Sequence, residues 1–182
     1  MKRIALDMDA VLANIQPVAF ALLEGDDHDR STEEVESWSW GGNEYGTDRY
    51  LSALWHAWTL RPHDIDSCEP GLDSVTEQLW EKSTQLDIVT SHPDHPGIRT
   101  QKRKWLLKHN IEYDNFKSVT NKIPKSEFYY DVFIDDKPAL ARNIKGGQTL
   151  YLIDRPWNQD VSSSSNVYRV STVAEALRLI DN

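Results

Sequence analysis

Residues 2–14, with the sequence KRIALDMDAVLAN, contain the pattern that decides the fold. The apolar run at residues 4–6 has the length and composition of a buried β-strand. It ends at Asp7, and Asp9 follows two residues later. In open parallel sheets, ligands bind outside the carboxyl ends of the strands. The sequence therefore predicts two carboxylates at a ligand-binding edge of a parallel sheet.

Two neighbouring carboxylates repel each other unless a cation or a shared proton relieves their charges. Such a pair suits phosphoryl transfer, in which one carboxylate attacks phosphorus while the other protonates the leaving oxygen and later activates water. A hard divalent cation would hold the nucleophile and the phosphate together. A bare Asp-x-Asp pattern is equally compatible with a solvated turn after an edge strand, so the rest of the chain has to decide between the two.

Composition restricts the classes of protein and partner that are possible. A chain of 182 residues suits one domain that carries an insertion. The formal net charge of -9 argues against extended nucleic-acid binding, which needs a basic face, so any phosphorylated substrate is expected to be small. The lone cysteine, Cys68, excludes an internal disulfide and fits a reducing cytosol. No apolar run approaches a bilayer span or a signal peptide, so we expect a cytoplasmic protein with no membrane partner.

Helical and strand-like patterns alternate along the chain after residue 14. The spacing predicts helices over residues 17–23, 48–59, 71–83, 98–109, 138–143 and 172–180. Short apolar runs predict strands over residues 86–89, 116–119, 131–134, 149–153 and 167–170. This order is typical of an α/β fold, a Rossmann-like parallel sheet with helices on both faces. The glycine-rich dinucleotide fingerprint is absent from the first turn, so NAD binding has no support.

Polar residues also follow two later strands. Thr90 and Ser91 end the second strand, and their hydroxyl groups could bind a phosphate oxygen. The pair Asp135-Asp136 ends the strand at residues 131–134, and placing it beside the first acidic pair is costly unless a cation is shared. His92 and His95 are each followed by a proline, which favours a loop over a zinc site.

An aromatic segment separates the first strand from the resumed α/β pattern. Tyr50, Trp55 and Trp58 lie at helical spacing, together with Leu51 and Leu54, which favours a role in packing. The alternative is a lid that stacks on a planar base, for which Trp38 and Trp40 are the better candidates because they lie outside the helical pattern.

Four stretches in order carry a family resemblance: DMDAVLAN, IVTSHP, the helix KRKWLLKH and FIDDKP. Together they resemble the four-part signature of the haloacid dehalogenase superfamily of phosphatases, and most closely its 5'(3')-deoxyribonucleotidase family. The resemblance implies a core formed by residues 1–14 and 70–182 and a small helical cap inserted at residues 15–69. Ala10 stands where the family often has glycine, and Asn14 where it often has aspartate, which concerns loop geometry and cap contacts more than chemistry.

The resemblance also implies roles for individual residues. Asp7 would be the nucleophile that forms an aspartyl-phosphate, and Asp9 the general acid and base. The phosphate would be bound by Thr90, with assistance from Ser91, and by a lysine, for which Lys102 competes with Lys125.

The implied cofactor is Mg²⁺. It would be held by Asp7, by the main-chain carbonyl of Asp9 and by Asp135, with Asp136 supporting the loop.

The expected function is a Mg²⁺-dependent phosphomonoesterase for small nucleotides, such as 5'-(deoxy)nucleoside monophosphates. Two alternatives remain open. One is a phosphatase of the same fold that acts on another small phosphorylated metabolite or on a nucleic-acid end. The other is a non-catalytic module that binds Mg²⁺ or a nucleotide. The sequence leaves the oligomeric state open.

Overall fold

The computed structural model describes residues 1–93, 95–120 and 123–180. Within these residues the strands, in chain order, are β1 (Lys2–Leu6), β2 (Ala13–Asn14), β3 (Asp66–Ser67), β4 (Ser83–Ser91), β5 (Asn115–Val119), β6 (Val132–Asp135), β7 (Thr149–Ile153) and β8 (Val167–Val170). The helices are α1 (Gln16–Glu24), α2 (Trp40–Tyr45), α3 (Thr47–Leu60), α4 (Leu72–Lys82), α5 (Pro96–Lys108), α6 (Pro138–Asn143) and α7 (Val173–Ile180). Short 3-10 helices span Thr32–Glu34, Lys125–Glu127 and Pro156–Asn158.

Six strands form a parallel sheet in the order β5-β4-β1-β6-β7-β8. Strand β1 lies inside the sheet, where Leu6 is in register with Ile88 of β4 on one side and with Ile134 of β6 on the other. The carboxyl ends of these three strands therefore meet at one edge. The predicted parallel sheet is confirmed, and this register brings together the polar residues that follow the three strands.

Alternate side chains of the sheet face two separate hydrophobic layers. Ile4 and Leu6 of β1 face a layer that includes Leu79 of α4, Trp105 of α5 and Leu177 of α7. The intervening residue, Ala5, faces a second layer, together with Phe133 of β6, Leu140 of α6 and Leu150 of β7. A fully buried parallel strand must be apolar on both faces, which explains the unbroken apolar runs in the sequence.

The chain between β2 and β3, residues 15–65, contains α1, α2 and α3, and we call it the inserted segment. The two short strands pair antiparallel at its two ends. Helix α3 packs on both α1 and α5. An aromatic cluster, which we define as Phe20, Trp40, Tyr45 and Tyr50, joins α1, α2 and α3. Only glycine fits at position 41, because a Cβ atom there would lie 2.2 Å from the Tyr50 ring. The division into a core and a cap at residues 15–69 remains a prediction.

Several details differ from the sequence prediction. Helix α2 and the β2–β3 pair were not predicted, because Gly41 and Gly42 weaken the helical signal and two-residue strands carry no periodicity. The packing interpretation is correct for Trp58, which is 1% exposed, but not for Leu51, which is 37% exposed and lines a cavity. None of the helices in the described part of the chain is long and apolar enough to cross a membrane.

Candidate active site

The loop after β1 makes a tight turn that carries Asp7 and Asp9. The carbonyl oxygen of Met8 accepts hydrogen bonds from the amides of Leu12 and Ala13, both at 2.9 Å, and the amide of Ala10 donates to the carbonyl of Ala13 at 2.8 Å. This winding forces Ala10 into the left-handed region, with φ of 61°. The turn buries Met8 and Leu12, and it leaves the Asp9 side chain at the sheet edge.

Lys125 joins the acidic residues of two strand ends. Its Nζ lies 2.9 Å from Oδ1 of Asp7 and 2.6 Å from Oδ2 of Asp135, and all three side chains are buried. Burial raises the pKa of Asp7 to about 6, because the positive charge of Lys125 only partly offsets the loss of solvent. Burial disfavours the Lys125 ammonium as well, but the carboxylates of Asp135 and Asp7 outweigh that effect and raise its pKa. Lys125 is therefore a permanent positive charge within the acidic cluster.

Asp136 adds a third buried carboxylate beside Asp7 and Asp135. Burial is the largest cause that raises its pKa, and the negative charges of Asp135 and Asp7 add to the effect. The indole Nε1 of Trp157 donates to Oδ2 of Asp136 at 2.8 Å, and the side-chain amide of Asn158 donates to its main-chain oxygen at 2.9 Å. These contacts fix the loop that follows β6.

The side chain of Asp9 points away from this cluster towards a second lysine. Nζ of Lys102, a fully buried residue of α5, donates to Oδ2 of Asp9 at 2.6 Å and to Oγ1 of Thr90 at 2.8 Å. Nε1 of Trp58 in α3 donates to the other oxygen, Oδ1, at 2.9 Å. The Trp58 ring also lies 5.3 Å from the Lys102 ammonium, within the range of a cation–π contact. Both oxygens of Asp9 are therefore engaged, one of them by a helix of the inserted segment.

The donor set fits a hard divalent cation. One carboxylate oxygen from each of Asp7, Asp135 and Asp136 lies within 4.8 Å of the others, and all three residues are buried. Oxygen donors of this type are those that Mg²⁺ prefers. Crowding three buried carboxylates beside a single ammonium leaves excess negative charge, which a cation would neutralise.

A cavity of about 620 Å³ lies directly above these groups. Its floor includes Asp7, Asp9, Thr90, Ser91 and Lys125, and its walls include residues of the inserted segment, namely Trp38, Asn43, Thr47, Tyr50, Leu51, Leu54 and Trp55. The cavity is open to solvent beside Trp38, which is 56% exposed. The volume falls within the range of small-molecule sites.

The structure brings most of the predicted site residues together at this cavity, and their chemical roles remain predictions. The two lid candidates separate: Trp38 lines the cavity, whereas Trp40 packs edge-on against Phe20 in the aromatic cluster, with ring centroids 5.9 Å apart. Lys102 and Lys125, which competed for one role, both lie at the site with different partners. His92 lines the cavity, but its ring bonds to the carbonyl of Pro93 and to Ser118.

Three further residues at the site were missed, namely Trp58, Arg155 and Trp157. Packing was the favoured role for Trp58, and the other two lie in the loop after β7. A signal was available in the sequence, because DRPWN follows the end of another predicted strand. Polar residues there are expected at the same ligand-binding edge of the sheet.

The fold and the carboxylate site define a class of protein, the hydrolases with a haloacid dehalogenase-like fold. Three solved structures cover nearly the whole chain at low sequence identity, which shows the fold. A haloacid dehalogenase-like hydrolase from Xanthomonas campestris shares 13% identity at a TM-score of 0.58, covering 100% of this chain and 95% of its own. A phosphonoacetaldehyde hydrolase-like protein from Oleispira antarctica shares 11% at a TM-score of 0.59, covering 99% and 91%.

The third structure is a D,D-heptose 1,7-bisphosphate phosphatase from B. bronchiseptica in complex with magnesium and phosphate. It shares 10% identity at a TM-score of 0.53, covering 99% of this chain and 98% of its own. No curated protein is significantly similar to the chain in sequence.

The sequence itself matches a narrower group. Residues 1–181 match the model of the family described as 5' nucleotidase, deoxy (pyrimidine), cytosolic type C protein, and the chain belongs to this family. The expected relationship to the deoxyribonucleotidases is thereby confirmed, and the protein is a phosphoric monoester hydrolase.

Proposed function

We propose that the protein hydrolyses 5'-(deoxy)nucleoside monophosphates in a Mg²⁺-dependent reaction through an aspartyl-phosphate on Asp7. The observation that carries this proposal is the arrangement of two separate acidic groups below one cavity. Asp7 belongs to the buried carboxylate cluster, whereas Asp9 faces Lys102 and Thr90. A nucleophile and a proton donor with different surroundings are what a two-step phosphoryl transfer requires.

In the first step, an oxygen of Asp7 attacks phosphorus and forms a new P–O bond. The bond from phosphorus to the ester oxygen breaks, and the ester oxygen receives the proton of Asp9 and leaves as the nucleoside. In the second step, Asp9 takes a proton from water, and the water oxygen attacks phosphorus, which releases phosphate and restores the Asp7 carboxylate.

Asp9 must hold a proton in the first step, although in the structure both of its oxygens accept hydrogen bonds. The phosphate group of the substrate competes with Asp9 for the ammonium of Lys102, which also contacts Thr90. When Lys102 binds the phosphate, Oδ2 of Asp9 loses this contact and can face the ester oxygen. Trp58 keeps Oδ1 in place during this exchange.

We assign the cation to Asp7, the main-chain carbonyl of Asp9 and Asp135, with Asp136 supporting their loop. When bound, Mg²⁺ supplies positive charge against the phosphate oxygens and the nucleophile. Lys125 pairs with Asp7 and Asp135 at the cavity floor, and we assign the phosphate to Lys102, which already contacts Thr90.

Substrate size follows from the cavity and the charge. A cavity of about 620 Å³ with aromatic and apolar walls suits a nucleoside, and Trp38 at its entrance is available to stack on the base. The formal net charge of -9 disfavours a longer nucleic acid. We further propose that residues 15–69 act as a cap over this site and that the protein works in the cytosol, as the family description implies.

The test is phosphate release from a panel of nucleoside monophosphates, sugar phosphates and an oligonucleotide with terminal phosphates, with Mg²⁺ and with EDTA. We expect Mg²⁺-dependent release concentrated on the nucleotides, and its loss in Asp7→Asn. Release mainly from sugar phosphates or from oligonucleotide ends would keep the mechanism and contradict the substrate. Full activity of Asp7→Asn would contradict the mechanism itself.

A further inference from the structure

Residues 155–158, which we call the brace segment, connect the two acidic loops of the site. Nε of Arg155 donates a hydrogen bond to the main-chain oxygen of Ala10, at 2.8 Å, in the loop of Asp7 and Asp9. Two and three residues later, Trp157 and Asn158 donate to the side chain and the main chain of Asp136. One short segment therefore contacts both the nucleophile loop and the metal loop.

The brace segment is itself held firmly. The amide of Arg155 donates to the side-chain oxygen of Asn158 at 3.1 Å, and the side-chain amide of Asn158 donates to the main-chain oxygen of Ile153, in β7, at 2.8 Å. The guanidinium of Arg169, in β8, donates to the main-chain oxygen of Asn158 at 2.8 Å. Asn158 is fully buried. The segment is thus fixed to the sheet, and it provides a rigid reference for the loops that it contacts.

The contact with Ala10 matters because of the backbone conformation there. Ala10 has φ of 61°, a left-handed conformation that its Cβ atom makes unfavourable and that glycine adopts without cost. The turn therefore tends to relax unless other contacts hold it. The carbonyl group of Ala10 is such a contact point, since it accepts the Arg155 hydrogen bond, and it lies one residue from Asp9.

We propose that Arg155 is a positioning residue, whose hydrogen bond to the Ala10 carbonyl keeps the Asp7–Asp9 loop in its catalytic conformation. The inference rests on the proposed function in that Asp7 and Asp9 perform the chemistry. It predicts that loss of the Arg155 side chain slows the chemical step, since small displacements of reacting groups reduce rates strongly. Binding of substrate by the cavity walls is expected to change little.

The first experiment compares Arg155→Met with a matched control, Arg142→Met, which removes an exposed arginine whose partner is Asp160. We expect kcat to fall by about ten- to a hundredfold in Arg155→Met, with KM changed less than about threefold. Arg142→Met is expected to keep both constants. A larger effect on KM than on kcat, or wild-type kcat in a folded Arg155→Met, would overturn the proposal.

Arg155→Lys separates the hydrogen bond from the charge. The Arg155 guanidinium also lies beside Cys68 and interacts electrostatically with Glu69. Lysine keeps a positive charge there but has no donor at the position of Nε, so kcat is expected to fall in the same direction as in Arg155→Met. Wild-type kcat in Arg155→Lys would show that charge alone suffices, which contradicts the proposal. This variant also keeps the proposal testable should Arg155→Met fail to fold.

A double-mutant cycle with Ala10→Gly tests whether Arg155 changes kcat through the backbone conformation of Ala10. Glycine relieves the backbone strain, so the turn needs the arginine less, and Arg155→Met is expected to cost at least about threefold less in kcat in the glycine background. Equal losses in both backgrounds would show that Arg155 does not act through the conformation of Ala10.

Amide hydrogen exchange tests the same contact without any activity. Peptides that cover residues 8–13 are expected to exchange faster in Arg155→Met than in wild type or in Arg142→Met. Unchanged exchange would overturn the proposal. If wild type released no phosphate from any substrate, the proposed function would fail. The exchange experiment would still show whether Arg155 holds the loop of Asp7 and Asp9 in place.

Discussion

At the scale of single residues, Asp9 is in direct contact with the inserted segment. Its two oxygens accept one hydrogen bond from Lys102 in α5 and one from Trp58 in α3. The proposed acid and base of the reaction is therefore oriented by hydrogen bonds from two different helices. A tryptophan whose sequence spacing indicates packing thus has a second role, which only the indole nitrogen reveals.

Trp58→Phe tests that role. Phenylalanine keeps an aromatic ring against Lys102 but removes the donor to Asp9, so we expect kcat to fall by about tenfold or more, the usual value of a hydrogen bond to a charged group. Trp105→Phe is the control for the loss of a buried indole hydrogen bond, because Trp105 packs edge-on against Trp58 but donates to the main-chain oxygen of Ile65 and not to Asp9. Steady-state kinetics measure kcat for both variants. An equal loss of kcat in the two would refute a specific role for Trp58.

Lys125 allows a test of the metal site that does not depend on turnover. Lys125→Met removes the ammonium beside Asp7 and Asp135 and leaves three buried carboxylates without it. We expect the free energy of unfolding in EDTA to fall by about 3–5 kcal/mol, as for a broken buried ion pair, and Mg²⁺ to restore part of it. Denaturant unfolding with and without Mg²⁺ measures this change.

The control for this variant is Lys145→Met, which breaks an exposed pair with Glu127 and should cost less than about 1 kcal/mol in either solution. If Mg²⁺ did not stabilise Lys125→Met against unfolding, the acidic cluster would not be the cation site.

The residues of the site were predictable where chemistry and strand ends coincide. Asp7, Asp9, Thr90 and Asp135 each follow or end an apolar run, so the sequence alone brings them to one edge. Arg155 also follows a strand end, but its partner could not be predicted. Its contact with Ala10 joins residues 145 positions apart, and it depends on a backbone conformation that the sequence does not state.

At the scale of the elements, β4 carries a buried acid that is unconnected with the active site. Asp87 is fully buried and accepts hydrogen bonds from Gln85, Asn115 and Tyr130, and it pairs with Lys117 at 2.7 Å. Burial opposes its negative charge, but the hydrogen bonds from Lys117, Tyr130 and Asn115 outweigh that effect and lower the pKa of Asp87. The charged group thus ties the edge strand β5 to β4.

This lowered pKa predicts how stability depends on pH. The contribution of Asp87 is fully present above its unfolded-state pKa of about 3.9 and is lost as pH falls through the lower folded-state value. We expect Asp87→Asn to lower the unfolding free energy by about 1–3 kcal/mol at pH 7. The difference from wild type should shrink as pH falls below about 4, as measured by denaturant unfolding at several pH values. The exposed Asp73→Asn is the control, and a difference independent of pH would contradict the assignment.

The elements themselves were largely predictable from periodicity. Helix α6 and strands β7 and β8 have the predicted bounds, because Pro138 begins the helix and apolar runs between polar loops delimit the strands. Strand β4 extends beyond its prediction at both ends, since ladder pairing with β1 and β5 recruits polar residues such as Ser83 and Ser91. Pairing of this kind is a tertiary effect, so local sequence patterns do not reveal it.

At the scale of the whole molecule, the parallel sheet supplies the chemistry and the inserted helices supply the walls around it. The acidic groups come from strand ends, whereas most of the apolar lining comes from residues between β2 and β3. The two parts meet again at the entrance, where Nζ of Lys137 lies 5.8 Å from the centre of the Trp38 ring. In the proposed function, substrate selection and phosphoryl transfer therefore belong to different parts of the chain.

A substitution at Trp38 tests whether the inserted segment selects the substrate. Stacking of a base on an aromatic ring contributes about 1–3 kcal/mol, so Trp38→Ala is expected to raise KM for nucleoside monophosphates by about five- to a hundredfold. A small phosphate ester without a base should keep its KM, because it offers no planar ring for Trp38 to stack on. Trp80→Ala is the matched control, since Trp80 is also exposed but lies on α4, bonded to Asp114.

Fluorescence supplies an independent measurement of the same contact. A nucleotide should quench the tryptophan emission of wild type more than inorganic phosphate does, and this difference should disappear in Trp38→Ala but persist in Trp80→Ala. Equal increases of KM for both kinds of ester would instead assign Trp38 to the packing of the inserted segment. Selection of the base would then have to come from the deeper walls, where Tyr50 and Trp55 line the cavity.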